Sequence, residues 1–280
     1  MTETTHQPPT GSLRALTSLA TWGALWRSGQ CAPDDIVDAL SDAADSHRIT
    51  AADPAAAQAL SLGAAETGTG SLLRMIRNSR CIRLLMPSPG DTCGIVASPA
   101  LRGALDTGEI LVLWPRGSET DGDEAYGLVA RTVATDTVTW TAHHLGRVVP
   151  RPVESLASVE YDLRQGIRSA AELFTQLGSM DTPASAAGAP DLRTRLTELT
   201  ARSHIDLPPH TSERVIRVID QATQVAAIVD LVLERTPAFG LTSGAQSSGD
   251  HAVERLRSLT RMARMTAVNT IISESEQSLH

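Results

Sequence analysis

The segment with the clearest potential for chemistry is a glycine-containing loop that runs into a short helix. Backbone N–H groups at a helix start can bind an anion, and arginines in the following turns would add positive charge. This predicts a site for a small phosphate-bearing ligand. A turn followed by a solvated helix face is the alternative, because a lone Gly-x-Gly has low specificity and no clear strand precedes it. The candidate residues are Gly68, Gly70, Ser71, Arg74, Arg77 and Arg80.

A second candidate lies in the last helix, where Arg257, Arg261 and Arg264 recur at i, i+4 and i+7. This spacing places the three guanidinium groups on one helix face, which could receive an acidic partner or a phosphate backbone. The alternative is that these arginines form the solvent-facing side of an ordinary amphipathic helix, opposite the apolar residues Val253 and Leu256.

Other residues that bind metals or perform catalysis lack the spacing that such chemistry needs. Adjacent residues on a strand point to opposite faces, so His143 and His144 cannot easily share one ion. The acidic segment 119–124 lacks the ligand register of a calcium loop. We therefore expect no catalytic residue, no metal and no cofactor.

Composition excludes several function classes. All 24 basic residues are arginine, so a lysine Schiff base, a pyridoxal cofactor and a Walker lysine are excluded. The net charge of −8 disfavours nucleic acid. Three cysteines without a disulfide pattern, no leader and no long apolar segment predict a cytoplasmic protein that is not in a membrane.

The pattern of elements predicts an α+β protein with a small mixed sheet of about 4–5 strands. N-terminal helices and a C-terminal helical bundle flank this sheet. The expected organisation is a disordered tail at 1–10, an α+β domain at 11–150, a helical region at 151–273 with a linker at 179–190, and a disordered tail at 274–280.

Local signals place the strands and one helix of the first domain. Strands are expected near 81–86, 94–97, 109–114, 125–134 and 137–145. Ser98 as N-cap, Pro99 in the first turn and Gly108 after the end predict a helix over 99–107.

The sequence of the second half of the chain predicts helices near 156–177, 191–203, 212–235 and 251–273. It also predicts a Gly/Ser loop at 240–249 and Asp250 as the N-cap of the last helix. The helix at 212–235 is apolar around most of its circumference. Exposing it would leave aliphatic side chains in water at roughly 1.5–3 kcal/mol each, so it should be central or lie in an interface.

Several segments together resemble an uncharacterised actinobacterial protein family. They are a Trp-containing helical opening with Pro33-Asp34-Asp35, the turn Met86-Pro-Ser-Pro-Gly-Asp91, the segment Ala104-Leu-Asp-Thr-Gly-Glu109, and an arginine-rich last helix. The resemblance implies an α+β body with a helical C-terminal half. It carries no assigned activity, so it transfers no catalytic residues.

These observations predict a non-catalytic cytoplasmic interaction or regulatory module, with a protein partner or a second copy of itself as a homo-oligomer. The alternative is a binder of, or an enzyme acting on, a small anionic ligand held by the loop at Gly68 and Gly70.

Overall fold

The structure, a computed structural model, describes residues 10–63, 65–116, 124–134, 136–148, 152, 154–178, 189–234 and 243–278. Within these residues it is an α+β fold with six strands and nine helices. The chain divides into two compact units. The first comprises 1–152, 205–211 and 268–280, and the second comprises 153–204 and 212–267.

The first unit contains all six strands and five helices. In chain order they are α1 (Thr10–Arg27), α2 (Pro33–Ser41), β1 (Ser46–Ala51), α3 (Pro54–Ala59), β2 (Glu66–Thr67), α4 (Gly70–Asn78), β3 (Ser79–Leu85), α5 (Pro99–Thr107), β4 (Ile110–Pro115), β5 (Glu124–Ala134) and β6 (Thr137–Arg147).

The strands form one mixed sheet in the order β2-β1-β6-β5-β4-β3. The β1–β6 pair is parallel and the other pairs are antiparallel. This order leaves β2 and β3 at the two edges. β2 is only two residues long, so β3 is the longer of the two edge strands.

Helices cover both faces of the sheet. One face packs against α5 through alternate residues of β4, including Val112 and Trp114. Leu111 and Leu113 point to the other face, since side chains alternate along a strand, and α1 and α4 contact β4 from there. Both sides of β4 are therefore buried, as its continuous apolar sequence predicts.

The capping signals of α5 are confirmed. The Ser98 side chain accepts a hydrogen bond from the backbone N–H of Leu101, Pro99 begins the helix, and Gly108 follows in the left-handed conformation at φ +82°. Such local signals need no tertiary contact, so the sequence alone places both ends of this helix.

The strand count of about 4–5 is wrong, because β1 and β2 lie outside the predicted sheet region. β1 alternates buried His47 and Ile49 with exposed residues, but Ser46 and Arg48 make it too polar to stand out. The expected strand at 94–97 is absent from the described residues there. Cys93 and Gly94 both have positive φ, which bends the chain into a turn.

The second unit contains α6 (Leu156–Gly178), α7 (Ala189–Arg202), α8 (Glu213–Glu234) and the first part of α9 (Ser243–Gln277). Its core joins Ala170 of α6, Val225 and Val229 of α8, and Val253 and Leu256 of α9. Most of the expected linker at 179–190 lies outside the described residues.

Helix α8 buries a wide face through Val215, Val218 and Ala222, but it is not enclosed all round. Ile216 and Ile228 are 38% and 41% exposed, and they lie beside polar residues such as Arg217 and Gln224. The helix is therefore amphipathic with a broad apolar face. It is not central all round, and burial of Ile216 and Ile228 in an interface stays a prediction.

The last helix is longer than predicted at both ends. Residues 243–250 are helical rather than a Gly/Ser loop, so Asp250 lies inside α9 and is not its N-cap. Residues 274–277 are helical rather than a disordered tail. This extension matters because the final turns of α9 belong to the first unit.

His47 connects β1 to its parallel neighbour β6 through a buried hydrogen-bond chain. Trp140 Nε1 donates to His47 Nδ1 at 3.0 Å, and His47 Nε2 lies 3.2 Å from the carbonyl oxygen of Leu40. Because Nδ1 accepts, the proton sits on Nε2, which donates to Leu40, and the imidazole is neutral. Burial lowers the pKa of His47, although the carbonyls of Leu40 and Ala44 oppose this.

The lowered pKa of His47 predicts a loss of stability in mild acid. The unfolded chain takes up a proton near pH 6.5 that the folded state resists, so the free energy of unfolding should fall as the pH drops from about 7 to about 5. In His47→Gln this pH slope should be smaller, as measured by urea unfolding across that range. An unchanged slope would show that His47 titrates normally in the fold.

Candidate functional site

The predicted anion-binding loop holds a carboxylate of its own. Arg74 Nη2 lies 3.1 Å from Glu66 Oε2, 3.1 Å from the carbonyl oxygen of Ser61 and 3.2 Å from Ser71 Oγ. Glu66 also accepts the backbone N–H of Gly63 at 2.8 Å, and this bond is the main reason that its pKa is lowered. An anion at this loop would have to displace Glu66 from Arg74.

The three arginines of this candidate site do not converge. Arg77 lies over the Trp26 ring, with its guanidinium carbon 5.7 Å from the ring centroid. Arg80 is exposed on β3, which follows α4. The glycines leave open space, since an added Cβ at Gly68 or Gly70 meets nothing within 4 Å. Anion binding at the loop stays a prediction.

The predicted partner face on α9 is not a bare charged surface. Arg257, Arg261 and Arg264 are each partly buried. A half-buried guanidinium packs its methylene stem as well as presenting its charge. Recognition of an acidic partner by this face stays a prediction.

The two adjacent histidines of β6 lie opposite β5, where His143 pairs with Gly127 and His144 with Tyr126. Both are half-buried. Burial lowers the pKa of His143 even though Asp53 opposes it. Among the residues that the structure describes, no group of three or more His, Cys, Asp or Glu side chains could hold a metal ion.

The most organised polar constellation lies at the outer edge of β3. Three successive outward-facing carbonyl groups there accept hydrogen bonds from side chains instead of from another strand. Arg27 Nη2 donates to Arg80 O at 2.7 Å, Arg83 Nη1 donates to Ile82 O at 2.7 Å, and Asn269 Nδ2 donates to Leu84 O at 2.8 Å. We call Arg27, Arg83, Asn269 and Glu276 the edge clamp.

Asn269 replaces a strand partner at Leu84. In addition to donating to the Leu84 carbonyl, its Oδ1 accepts the Leu84 N–H at 2.9 Å. Both backbone groups of one edge residue are thereby satisfied by a side chain that is only 6% exposed. The amide of Asn carries a donor and an acceptor side by side, as a peptide group does, which explains why this residue type fits.

Glu276 holds the two arginines of the edge clamp together. Its Oε1 lies 3.3 Å from Arg27 Nη1 and its Oε2 lies 2.9 Å from Arg83 Nη1. The Arg27 side chain is 3% exposed and that of Glu276 is 21% exposed. Burial lowers the pKa of Arg27 and Glu276 raises it again, so the carboxylate offsets the cost of hiding this charge.

The edge clamp sits in a locally basic region. Arg27, Arg80 and Arg83 all act electrostatically on the thiol of Cys81, and Arg116 acts on Arg27. Burial nevertheless raises the pKa of Cys81, with Glu276 adding to the increase. Four guanidinium groups therefore surround one end of the sheet edge in a protein whose net charge is −8.

Sequence analysis missed the edge clamp for a physical reason. Asn269 and Glu276 acquire their roles only through contacts with β3 and α1, which are far away in sequence. One local signal was available: Asn269 is a polar residue inside the apolar segment formed by Val268, Ile271 and Ile272. A buried Asn in such a segment requires hydrogen-bond partners.

Comparison with known proteins places this two-unit α+β architecture in a family. The family model described as "Rv1486c-like protein, N-terminal domain" matches residues 16–155, and "Rv1486c-like protein, C-terminal domain" matches residues 157–265. The chain therefore belongs to the Rv1486c-like protein family.

Individual relatives come from mycobacteria, which confirms the expected actinobacterial family. The chain is 33% identical to "Uncharacterized protein Rv1486c" of Mycobacterium tuberculosis strain H37Rv, over 91% of this chain and 96% of that protein. It is 28% identical to "Uncharacterized protein ML1804" of Mycobacterium leprae, with the same coverage. These names assign no activity, and no solved structure matches the chain.

The part of the chain that the structure describes contains no helix with the length and apolar character needed to cross a membrane.

Removing the Asn269 side chain should destabilise the first unit. In Asn269→Ala the buried N–H and C=O of Leu84 lose their partners, and each unsatisfied group costs about 1–3 kcal/mol. We expect the free energy of unfolding to fall by about 3 kcal/mol in chemical denaturation. Gln277→Ala, an exposed change in the same turns of α9, should have almost no effect. Equal stability of the two variants would contradict the role of Asn269.

Proposed function

We propose that this protein is a non-catalytic, cytoplasmic interaction module whose docking surface is the outer edge of β3. Its partner is a protein that presents an extended segment with acidic side chains. The last turns of α9 occupy the edge and must move aside when the partner binds. The observation that carries this proposal is that side chains of the chain itself fill the hydrogen-bonding positions of β3 that a further strand would fill.

The backbone geometry of β3 supports strand addition. An exposed sheet edge binds an extended peptide through main-chain hydrogen bonds, and neighbouring side chains supply selectivity. At β3 the N–H and C=O of Leu84 and the carbonyls of Arg80 and Ile82 are the groups used by the edge clamp. An incoming strand would take over the same groups, so the exchange conserves most hydrogen bonds.

Local charge supports an acidic partner. Glu276 binds Arg27 and Arg83 in the same way that a carboxylate of a partner would. The net charge of −8 opposes an acidic ligand at long range. Screening limits that repulsion, because the Debye length is about 8 Å at physiological ionic strength, while the arginines would contact the ligand directly.

The same charges disfavour pairing of two copies through β3. An antiparallel pair of β3 strands would bring Arg80 and Arg83 of both copies close together, and like charges across strands are destabilising. Self-association through another surface stays a prediction of the sequence.

The state of two thiols, those of Cys31 and Cys81, supports a role without nucleophilic chemistry. Burial, with a contribution from Asp35, raises the pKa of Cys31 to about 11. Burial also raises the pKa of Cys81. A cysteine nucleophile needs a lowered pKa, so neither thiol is activated.

The proposal predicts that weakening the edge clamp strengthens binding of an acidic strand. In Glu276→Gln the neutral amide keeps the shape of the side chain but releases the two arginines. The probe is the peptide Ac-Thr-Glu-Val-Glu-Val-Thr-NH2, titrated into the full chain and followed by isothermal calorimetry and by the backbone amide signals of β3. We expect its affinity to increase about tenfold over the unaltered chain, equivalent to about 1.4 kcal/mol.

Two controls make the result specific. Glu254→Gln is the same chemical change at an exposed position of α9 and should leave the affinity unchanged. The neutral peptide Ac-Thr-Gln-Val-Gln-Val-Thr-NH2 should bind the Glu276→Gln variant much more weakly. Equal affinity of the acidic peptide for all three proteins, or signal changes that do not include β3, would overturn the proposal. Should the variant fold poorly, the unaltered chain still provides the comparison of acidic and neutral peptides.

A further inference from the structure

A pocket in the first unit lies beside the same turns of α9 but uses different residues. Its volume is about 140 Å³, and it is formed by the end of α1 and the residue Gln30, the segment 209–211, and the last turns of α9. The lining residues from this end of the chain are Ile271, Glu274 and Ser275 of α9 and Ser278, which follows it, and none of them belongs to the edge clamp.

The size of the pocket selects the kind of group that it can hold. A single water needs only about 10–15 Å³ of such volume, whereas sites for whole small molecules occupy about 300–1,000 Å³. A volume of about 140 Å³ lies between these values and suits the head group of one side chain or of a small amine.

Most hydroxyl groups of the lining already donate their hydrogen to a backbone carbonyl of the protein. Thr211 Oγ1 donates to Pro208 O at 2.7 Å, Ser275 Oγ donates to Ile271 O at 2.8 Å, and Ser278 Oγ donates to Glu274 O at 3.2 Å. Each hydroxyl has one proton and two lone pairs, so the lone pairs remain. Three hydroxyl groups of the lining therefore offer acceptors and no donors.

Gln30 and Glu274 add further acceptors to the lining. The amide nitrogen of Gln30 donates one of its two hydrogens to Ser28 Oγ at 3.0 Å, so one N–H and the carbonyl oxygen remain. The exposed side chain of Glu274 supplies a carboxylate. The imidazole of His210 also lines the pocket and, when neutral, has one donor and one acceptor nitrogen. Acceptors still outnumber donors in this lining, which favours a ligand that donates several hydrogen bonds and carries positive charge. A guanidinium group has five donors, no acceptor and a fixed charge.

The apolar part of the lining fits the rest of such a ligand. Leu25, Pro209 and Ile271 line the pocket alongside the polar groups. The flat face of a guanidinium is weakly hydrated, and the methylene stem that carries it packs well on apolar surface. The charge of the lining, its need for hydrogen-bond donors and its apolar residues all indicate a guanidinium group on an apolar stem.

We propose that this pocket binds a guanidinium group, presented either by an arginine side chain of a protein partner or by a small guanidino compound. The proposal does not rest on strand addition at β3, because the pocket is formed while the last turns of α9 are in place and none of its lining side chains belongs to the edge clamp.

The test uses the full chain and three probes followed by amide chemical shifts. The probes are agmatine, Ac-Gly-Arg-Gly-NH2, and the same tripeptide with citrulline, which replaces the guanidinium by a neutral urea group. We expect the two guanidinium probes to shift the amide signals of Gln30, Thr211 and Ser278 with affinities in the millimolar range. The citrulline peptide should shift them at least about tenfold less effectively, since the loss of charge removes the main selectivity.

Variants establish which residue provides the charge. Glu274→Gln should weaken both guanidinium probes about tenfold, and Gln30→Glu should strengthen them. Glu254→Gln is the matched control and should change neither affinity. If only agmatine binds, the ligand is a free small molecule; if the tripeptide binds equally well, it is a protein side chain.

Three results would overturn the proposal: no shift of the pocket signals with either guanidinium probe, equal binding of the citrulline peptide, or binding that Glu274→Gln leaves unchanged. Since the acidic peptide is tested separately at β3 with Glu276→Gln, failure at one site leaves the result at the other unaffected.

Discussion

The outer backbone of β3 imposes the constraint on which the rest of the first unit depends. A sheet with an uncovered edge presents a row of unpaired N–H and C=O groups, and buried backbone groups must find partners. Here the partners are side chains of α1, of β3 itself and of the last turns of α9. The end of α9 is therefore part of the sheet's hydrogen-bonding system, although it is far from β3 in sequence.

This arrangement carries a cost that Glu276 offsets. Covering the edge with Arg27 places a permanently charged side chain where almost no solvent reaches it. A buried guanidinium is tolerated only when a carboxylate and hydrogen-bond acceptors surround it. Glu276 supplies the carboxylate and the carbonyl of Arg80 supplies an acceptor. Ion pairs, and not apolar packing alone, therefore hold these side chains at the outer edge of β3. A carboxylate from another molecule could form the same ion pairs in place of Glu276.

How far the sequence predicted this structure depends on the range of the interactions involved. Helix α5 was placed correctly because its Ser98, Pro99 and Gly108 signals act within the helix itself. The short polar strands β1 and β2 were missed, since their pairing with β6 and with each other is decided by tertiary contacts. The Gly- and Ser-containing segment 240–249 was predicted to be a loop, because glycine has a low helix propensity, yet residues 243–249 are helical and continue into the rest of α9.

The same contrast between local signals and tertiary contacts applies to the candidate sites. The loop at Gly68 and Gly70 was found from its composition, but the pairing of Arg74 with Glu66 depends on how the loop folds back. Glu276 fell in a segment too polar to predict order, and its partners Arg27 and Arg83 are distant in sequence. Residues whose role depends on neighbours brought together by the fold leave only weak traces in the sequence, such as the polar Asn269 within an apolar helix segment.

Hydrogen exchange at the Leu84 amide tests the central claim most directly. If Asn269 and the end of α9 close the edge, this amide should be protected nearly as well as the amides of the central strand β4, and it should lose most of that protection in Asn269→Ala. Exchange of the Leu84 amide at the rate of an exposed backbone group in the unaltered protein would contradict the account.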